Sequence, residues 1–579
     1  MTVRSGLCII GAARGWLTAT RLRLTVDDFT VVRDLGQLTR DSVMRTRIPR
    51  SLRSIVASGA ALCALVSVGT AFAQDEMTFG VEEVPDVAEV SPVGQFLDEG
   101  LKYYEKKEYY QASVLFHKVL AEPDAGADRF RPKAQYELAK TLYRLKVYQG
   151  SMNLVDQIIE GGEEHPYYQA SLSWLILLSR KLSGDPAMLG RIGKFAPYYP
   201  DQVPEKFRDE FAFLLGKYYY EQAQLEDAQK FLQRVSPQSK HFAEAKFLEG
   251  VLWVRKYEAK PAVNAFKAIL AHLADQNIDD DPKLKRLEQL TLLSMARTFY
   301  SVGQYDKAVK YYSFIEQDSP YWLDSLFEES WSYFQVDQFN KALGNLHTLN
   351  SPFFDDEYFP ESLILQAVVL FTNCRYERVR LTVEEFELIY PDLKKQLEEY
   401  LVQYEDPTEL YEFLVEINEG GGSFDPRLSQ ILSAALTDKT LKRTIDYVQE
   451  LEAELKLVEA SEPSWRDSAI GKSLEQELEL SRSFALADAG TLAQERLQRV
   501  VRELNDLIKQ GKKILVETAK AETDVLDQQL RDQQFDAQNA KEGAGFKIDD
   551  EHVFWTFRGE YWRDELGYYL YNVRSQCGR

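Results

Sequence analysis

The chain has 579 residues, of which 45% are hydrophobic and 28% charged, enough for two or more domains and a large core. Its formal charge of −22 argues against nucleic acid as a partner, because a phosphate-binding surface needs a dominant basic field. The acidity suits a solvated surface instead.

In chain order, residues 1–43 read as a non-native extension and residues 44–73 as an export signal. Met44 precedes the basic residues Arg45, Arg47, Arg50 and Arg53, Ile55 to Val68 supply an apolar stretch, and Ala71-Phe72-Ala73 fits a cleavage site before Gln74. The apolar stretch is too short and too rich in small residues to span a membrane well. Leu62 stands where a lipoprotein signal wants a small residue before Cys63, so cleavage after Ala73 is preferred to lipidation. Removing ten Arg and four Asp leaves a mature chain near −28. No later segment reaches the apolar length of a transmembrane helix, so the product is expected to be periplasmic. Of four cysteines, Cys374 and Cys577 survive cleavage. They either pair in an oxidising compartment or serve as a packed small residue and a tail thiol.

Residues 74–93, acidic with two prolines, read as a flexible leader. Residues 94–391 read as paired helices. Eight positions, Ala112, Ser151, Ala187, Ala228, Ala262, Ala308, Ala342 and Val379, recur 34–46 residues apart, the spacing of a stacked helix–turn–helix array. In the first unit Phe96, Gly100 and Tyr103 share one helical face and Ala112, Phe116 and Val119 the next. Gly100 and Ala112 are expected where the two helices cross, with bulky neighbours filling the grooves. Gly216 and Tyr219 precede Ala228; Gly250 and Trp253 precede Ala262 and Phe266. Ala296 and Phe299 precede Ala308, Tyr312 and Pro320; Tyr333 precedes Ala342; Ala367 precedes Val379 and Pro391. The prolines are expected to end units.

The segments YYEKKEYYQASVLFHKVL at 103–120 and GQYDKAVKYY at 303–312 closely match parts of the tetratricopeptide repeat, whose motif runs large residue, Leu-Gly, Tyr, Ala, Phe, Ala and Pro. The chain resembles that superfamily, in an exported cell-envelope form similar to periplasmic repeat scaffolds. The units around Ser151 and Ala187 fit poorly, the latter placing Arg191 and Lys194 where apolar residues belong. The resemblance implies an all-α fold, a right-handed superhelix of about eight irregular helix pairs followed by a coiled-coil or helical hairpin region. It also implies a concave groove for a partner, towards which Tyr104, Tyr143, Lys217, Tyr218, Arg255 and Arg297 are candidates to project.

Residues 392–440 read as a linker, hinged at Gly420-Gly421-Gly422 and separating two bodies. Within 441–540, Leu441, Val448, Leu451, Leu455 and Val458, and then Leu497, Val501, Leu504 and Ile508, follow heptad spacing on polar helices that Pro463 separates. This suggests a coiled-coil hairpin or a homo-oligomer. Residues 541–579 form an aromatic tail with eight aromatics between His552 and Tyr571. Trp555, Tyr561, Trp562, Arg563, Tyr568 and Tyr569 are candidates for partner docking. The alternative is a tail folded back over the coiled coil.

The chemistry-bearing residues lack the spacings of a catalytic, cofactor or metal site. The six histidines are scattered, and Asp279-Asp280-Asp281 and Asp355-Asp356-Glu357 lack the glycine and late glutamate of a calcium loop. No cofactor and no enzymatic activity are expected. The function expected is an exported protein–protein scaffold of the bacterial cell envelope, its partners being other envelope proteins. The alternatives are a component of a motility, secretion or outer-membrane assembly complex and, from another class, a peptidoglycan-cleaving enzyme.

Overall fold

The computed structural model describes residues 91–579, apart from 124, 202, 275, 355–356, 419–425, 437–438, 533–551, 555 and 578–579. The extension, the export signal with Cys63, most of the leader, the Gly420–Gly422 hinge and Trp555 lie outside the described residues. The first helix begins within the expected leader, at Pro92. The Ser91 hydroxyl accepts the Gly94 N–H at 3.0 Å and proline takes the first position, where its missing N–H costs nothing.

Eight helix pairs follow: α1 (Pro92–Glu105) with α2 (Tyr109–Ala121), α3 (Arg131–Arg144) with α4 (Tyr148–Glu160), α5 (Tyr168–Ser179) with α6 (Met188–Gly193), and α7 (Arg208–Glu221) with α8 (Leu225–Leu232). Next come α9 (Phe242–Arg255) with α10 (Ala259–Ala274), α11 (Pro282–Ser301) with α12 (Tyr305–Tyr312), α13 (Trp322–Gln335) with α14 (Phe339–Leu349), and α15 (Pro360–Thr372) with α16 (Tyr376–Gln403). Among the described residues every α-helix or 3₁₀ turn belongs to an all-α architecture with no strand.

Seven of the eight pairs share one turn. Lys107, Lys146, Ala223, Tyr257, Gly303, Asp337 and Cys374 each hold a left-handed conformation, with φ between 56° and 72°. Each stands two residues before its second helix. The N–H that follows bonds back across the turn to Tyr103, Leu142, Tyr219, Trp253, Phe299, Tyr333 or Leu370, at 2.9–3.0 Å. This is the Schellman arrangement, which satisfies the last carbonyls of the first helix. Five residues after each turn stands Ala112, Ser151, Ala228, Ala262, Ala308, Ala342 or Val379, every one fully buried. Four residues further stands a larger buried side chain, among them Phe116, Leu232, Phe266 and Tyr312.

The small residue seven positions before the turn receives that side chain. A Cβ on Gly100 would stand 2.6 Å from the Phe116 ring, one on Gly216 2.6 Å from Leu232, and one on Gly250 2.4 Å from Phe266. The closest approach at Gly100 is therefore to Phe116 rather than to Ala112. Ala296 and Ala367 fill the same position and are buried. The Ser151 unit also keeps register, through Ala139, which is buried and whose carbonyl accepts the Ser151 hydroxyl at 2.8 Å.

Two expectations are corrected. Ala187 precedes α6 instead of lying within it, and Arg191 takes the fourth helical position. The Arg191 guanidinium lies 2.6 Å from Asp156 and also pairs with Asp185, so an ionic contact stands beside the buried Met188, Leu189 and Ile192 in this short unit. Pro320, exposed in the turn between α12 and α13, does stand at the end of its unit. Pro391 does not end its unit but sits inside the 28-residue α16, whose continuation buries Leu393 and Leu397. That burial offsets the lost helix hydrogen bond.

Past the repeats run α17 (Pro407–Asn418), α18 (Pro426–Ala435), α19 (Lys439–Glu459), α20 (Pro463–Arg466) and α21 (Ala469–Asp532). With 64 residues, α21 is about 96 Å long at 1.5 Å per residue. It packs on α17, α18 and α19, and also on α2, α4, α15 and α16. Residues 392–440 are thus largely helical, and helices on both sides of the glycine run share one packing partner, so they do not separate two bodies. The heptad residues Leu441, Val448, Leu451, Val458, Leu497 and Leu504 are buried within the chain. Of the two alternatives for this stripe, a hairpin or a seam between copies, the chain uses it internally, between α19 and α21.

Tyr257 is 95% exposed with φ 60°. Tyr257→Gly is expected to stabilise by up to about 1 kcal/mol and Gly303→Val to destabilise by about 1–2 kcal/mol, measured by urea unfolding. Pro391→Ala is expected to stabilise, by up to about 3 kcal/mol.

Candidate interaction site

A stack of helix pairs leaves apolar faces at both ends. Here one continuous apolar core joins residues of the first pairs, the last pairs and α17–α21, while residues 243–321 form a core of their own. The α19–α21 hairpin is therefore a strap between the two ends of the array.

At the first end, both carboxylate oxygens of Glu454 accept the Gln149 N–H at 3.0 Å, at the start of α4 where helix N–H groups lack partners. Burial pushes the Glu454 carboxyl up to about 8, against the pull of these donors. Glu450 accepts the Ser183 N–H at 3.1 Å and the Gly184 N–H at 3.3 Å. A Cβ on Gly184 would meet the Tyr447 backbone nitrogen at 2.3 Å. The Trp465 indole donates to the Ser113 hydroxyl at 2.8 Å and sets its ring edge-to-face with Tyr110. At the other end Glu522 pairs with Arg380, and Gly511 lies against Val383, Ile364 and Phe386.

The aromatic tail folds back, onto the repeats and not onto the hairpin. It enters through the 3₁₀ turn Arg563–Glu565 and crosses α14 and the α15–α16 turn as a segment without regular secondary structure. The Gly567 N–H donates to the Thr348 hydroxyl at 2.9 Å, the Tyr571 N–H to the Asn340 carbonyl at 3.0 Å, and the Val573 N–H to the Asn340 side chain at 3.1 Å. The Gln576 N–H reaches the Asn373 carbonyl at 3.0 Å, and Arg375 donates to the Arg574 carbonyl at 2.7 Å. Tyr571 also bonds Arg378. A disulfide joins Cys374 to Cys577, with Cα atoms 5.2 Å apart.

Gly344 makes this seat possible, since a Cβ there would stand 1.7 Å from the Tyr569 carbonyl oxygen. His347 lies among Phe557, Tyr561 and Tyr569, with ring centroids 4.7, 4.6 and 5.1 Å away. Burial alone pushes its imidazole down to about 4. Beside this segment lies a cavity of about 490 Å³ bordered by Asn340, Lys341, Asn373, Leu570 and Val573.

Of the docking candidates, Tyr569 is buried and Tyr561 half-buried against His347, whereas Trp562, Arg563 and Tyr568 are exposed. The groove candidates mostly pack within the array. Arg297 is half-buried, donating to Glu328 at 2.7 Å, and the Tyr312 hydroxyl donates to the same carboxylate at 3.0 Å. Tyr143 meets Tyr148 and Trp174 edge-on; Tyr218 fills the space over Gly193; Arg255 lies over the Tyr220 ring. Asp281 is a helix cap, its carboxylate accepting the Lys283 N–H at 2.9 Å. Among the described residues no cluster of three His, Cys, Asp or Glu side chains could hold a metal ion, and no helix is long and apolar enough to cross a membrane.

Sequence reading missed the seat. Asn340, Gly344, His347 and Thr348 follow the helical i, i+3, i+4 rule on one face, but nothing local distinguishes that face from an ordinary solvated one.

Neither a family model nor a curated protein matches the sequence. Among solved structures, the apo form of RapI is similar at 13% identity, covering 63% of this chain and 99% of its own, with a TM-score of 0.32. A tetratricopeptide repeat protein from Parabacteroides merdae ATCC 43184 matches at 13% identity over 51% of this chain and 93% of its own, TM-score 0.22. Yeast Tom70 matches at 15% identity over 76% and 99%, TM-score 0.18. Scores this low leave the fold to be read from the seven equivalent turns of this chain. The fold is tetratricopeptide-like.

The docked tail keeps His347 neutral, and unfolding restores its ordinary value of 6.5. The folded value is the lower one, so stability is complete above pH 6.5 and falls as the pH drops towards 4. The expected loss at pH 5 is about 2 kcal/mol. His347→Phe should flatten this dependence in unfolding curves taken between pH 7 and pH 5.

Proposed function

We propose that the chain is an exported, non-enzymatic scaffold of the bacterial cell envelope that holds other envelope proteins together. The observation that carries this reading is the seven-fold repetition of one helix-pair turn along a single array. Repetition of this kind makes an extended, quasi-one-dimensional surface suited to long peptide segments. Charged groups on the repeats are engaged in packing and capping, as Arg297 is with Glu328 and Asp281 is at the start of α11. Export is supported by the basic, apolar and small-residue order of 45–73 and by the pairing of both remaining cysteines, which suits an oxidising compartment. A role inside a motility, secretion or outer-membrane assembly complex is a narrower form of the same reading.

Because the strap buries its apolar stripe against both ends of the array, the intact chain is the object to test. Photo-reactive residues placed at Tyr568 and Tyr257, both exposed, should each give discrete cross-linked protein species in living cells. Recovery of the uncross-linked chain alone from both positions would overturn the scaffold reading. Sequencing of the mature N-terminus should begin at or near Gln74, and an N-terminus well before it would remove the export argument.

A further inference from the structure

A solenoid surface recognises an extended segment when its backbone can be held and its side chains have places to go. The seat on α14 meets both conditions, because the chain's own tail already occupies it. Asn340 receives two backbone N–H groups of the tail, 3.0 and 3.1 Å away. Gly344 lets the Tyr569 carbonyl lie flat on the helix, and His347 stacks with Tyr561. A glycine inside a helix is destabilising relative to alanine, which makes sense where a backbone must approach this closely.

The tail is held at its end by one covalent bond. Cys577 is exposed and Cys374 half-buried, so the tail sulfur is the accessible one. We propose that the face formed by α14 and the α15–α16 turn is a binding site for a tyrosine-rich peptide segment without regular secondary structure, filled in the oxidised protein by residues 566–577, and that reductive opening of Cys374–Cys577 makes it available to a partner segment of the same chemistry. The inference rests on the scaffold reading for the existence of a partner.

The reductant is a dithiol of the thiol–disulfide exchange class. Its thiolate attacks Sγ of Cys577, and the Cys374 thiolate leaves and takes up a proton. The second donor thiol then attacks the mixed disulfide, Cys577 leaves as a thiol, and the donor ends as a disulfide, two electrons having passed to the two cysteines. Without the bond, the tail holds its seat only through hydrogen bonds and ring contacts that are individually weak.

The test uses the full mature chain, oxidised or reduced with dithiothreitol, and a fluorescent peptide spanning residues 560–577 with Cys577→Ser. Reduction should speed hydrogen exchange at Gly567, Tyr571, Val573 and Gln576 at least tenfold, while amides of α1–α4 stay protected and report an intact array. The peptide should bind the reduced chain at least tenfold more tightly than the oxidised one. The Cys577→Ser chain should behave as reduced without dithiothreitol, and adding Gly344→Val to it should abolish peptide binding. Unchanged exchange on reduction would overturn the latch, and faster exchange without peptide binding would overturn the site. If cellular cross-links persist identically in both redox states, the scaffold reading stands and this inference falls.

Discussion

The structure depends on a chain reversal of fixed length. A second helix can present its small residue to the first only if the turn between them always consumes the same number of residues. The left-handed residue sets that number. From Lys107 to Cys374, the small residue of the first helix stands seven positions before it, and that of the second helix five after. Six of the seven turn residues are not glycine, so each carries an unfavourable backbone conformation. That cost is met because every turn returns two buried helices and a capped helix end. Where the turn is absent, as before α6, the small-residue register is lost and an arginine between two aspartates takes its place.

The pairing rule leaves the array with two unfinished ends, and the strap resolves both. Its first half supplies carboxylates to backbone N–H groups at Gln149, Ser183 and Gly184, and its second half buries leucines against α15–α18. Contacts with a sequence separation of some 300 residues, such as Gln149 with Glu454, thereby become part of the same core as the local pairs. The chain is acidic overall, and several of its carboxylates are structural acceptors, not solvated surface charge. Cutting the chain at the glycine run would separate helices that bury one another's apolar faces.

Much of this was legible in the sequence. Ala112, Gly100, Gly250 and Trp253 announce the pairs because small and large residues alternate at helical spacing, and Pro463 with its flanking heptads bounds α19 and α21 closely. What escaped has a common physical cause. Pro391 is a helix breaker by local preference, yet burial of Leu393 and Leu397 overrides it. The heptad stripe reveals that a face is buried, not what buries it. Left-handed Lys107 and Tyr257 carry no signature, since glycine is the usual mark of that conformation and only Gly303 shows it.

The tail shows the same limit from the other side. Its aromatics declare a need for partners, and partners in the same chain are not ranked by sequence distance. Residues 566–577 lie about 200 positions from the turn they bond, as Arg375 with Arg574 does, yet the fold brings that turn beside α14. A segment outside helices and sheets must find acceptors for its N–H groups, and the start of α14 supplies Asn340, which accepts the Tyr571 N–H and shares the Val573 N–H with the Tyr571 carbonyl. Gly344 removes the side chain that would hold the segment off, and His347 gives the rings a flat neighbour. Tyr568 and Trp562 keep exposed surface in the process. An aromatic segment that has found its own seat can still leave apolar surface at its rim, so folding back and offering a contact are compatible properties of one segment.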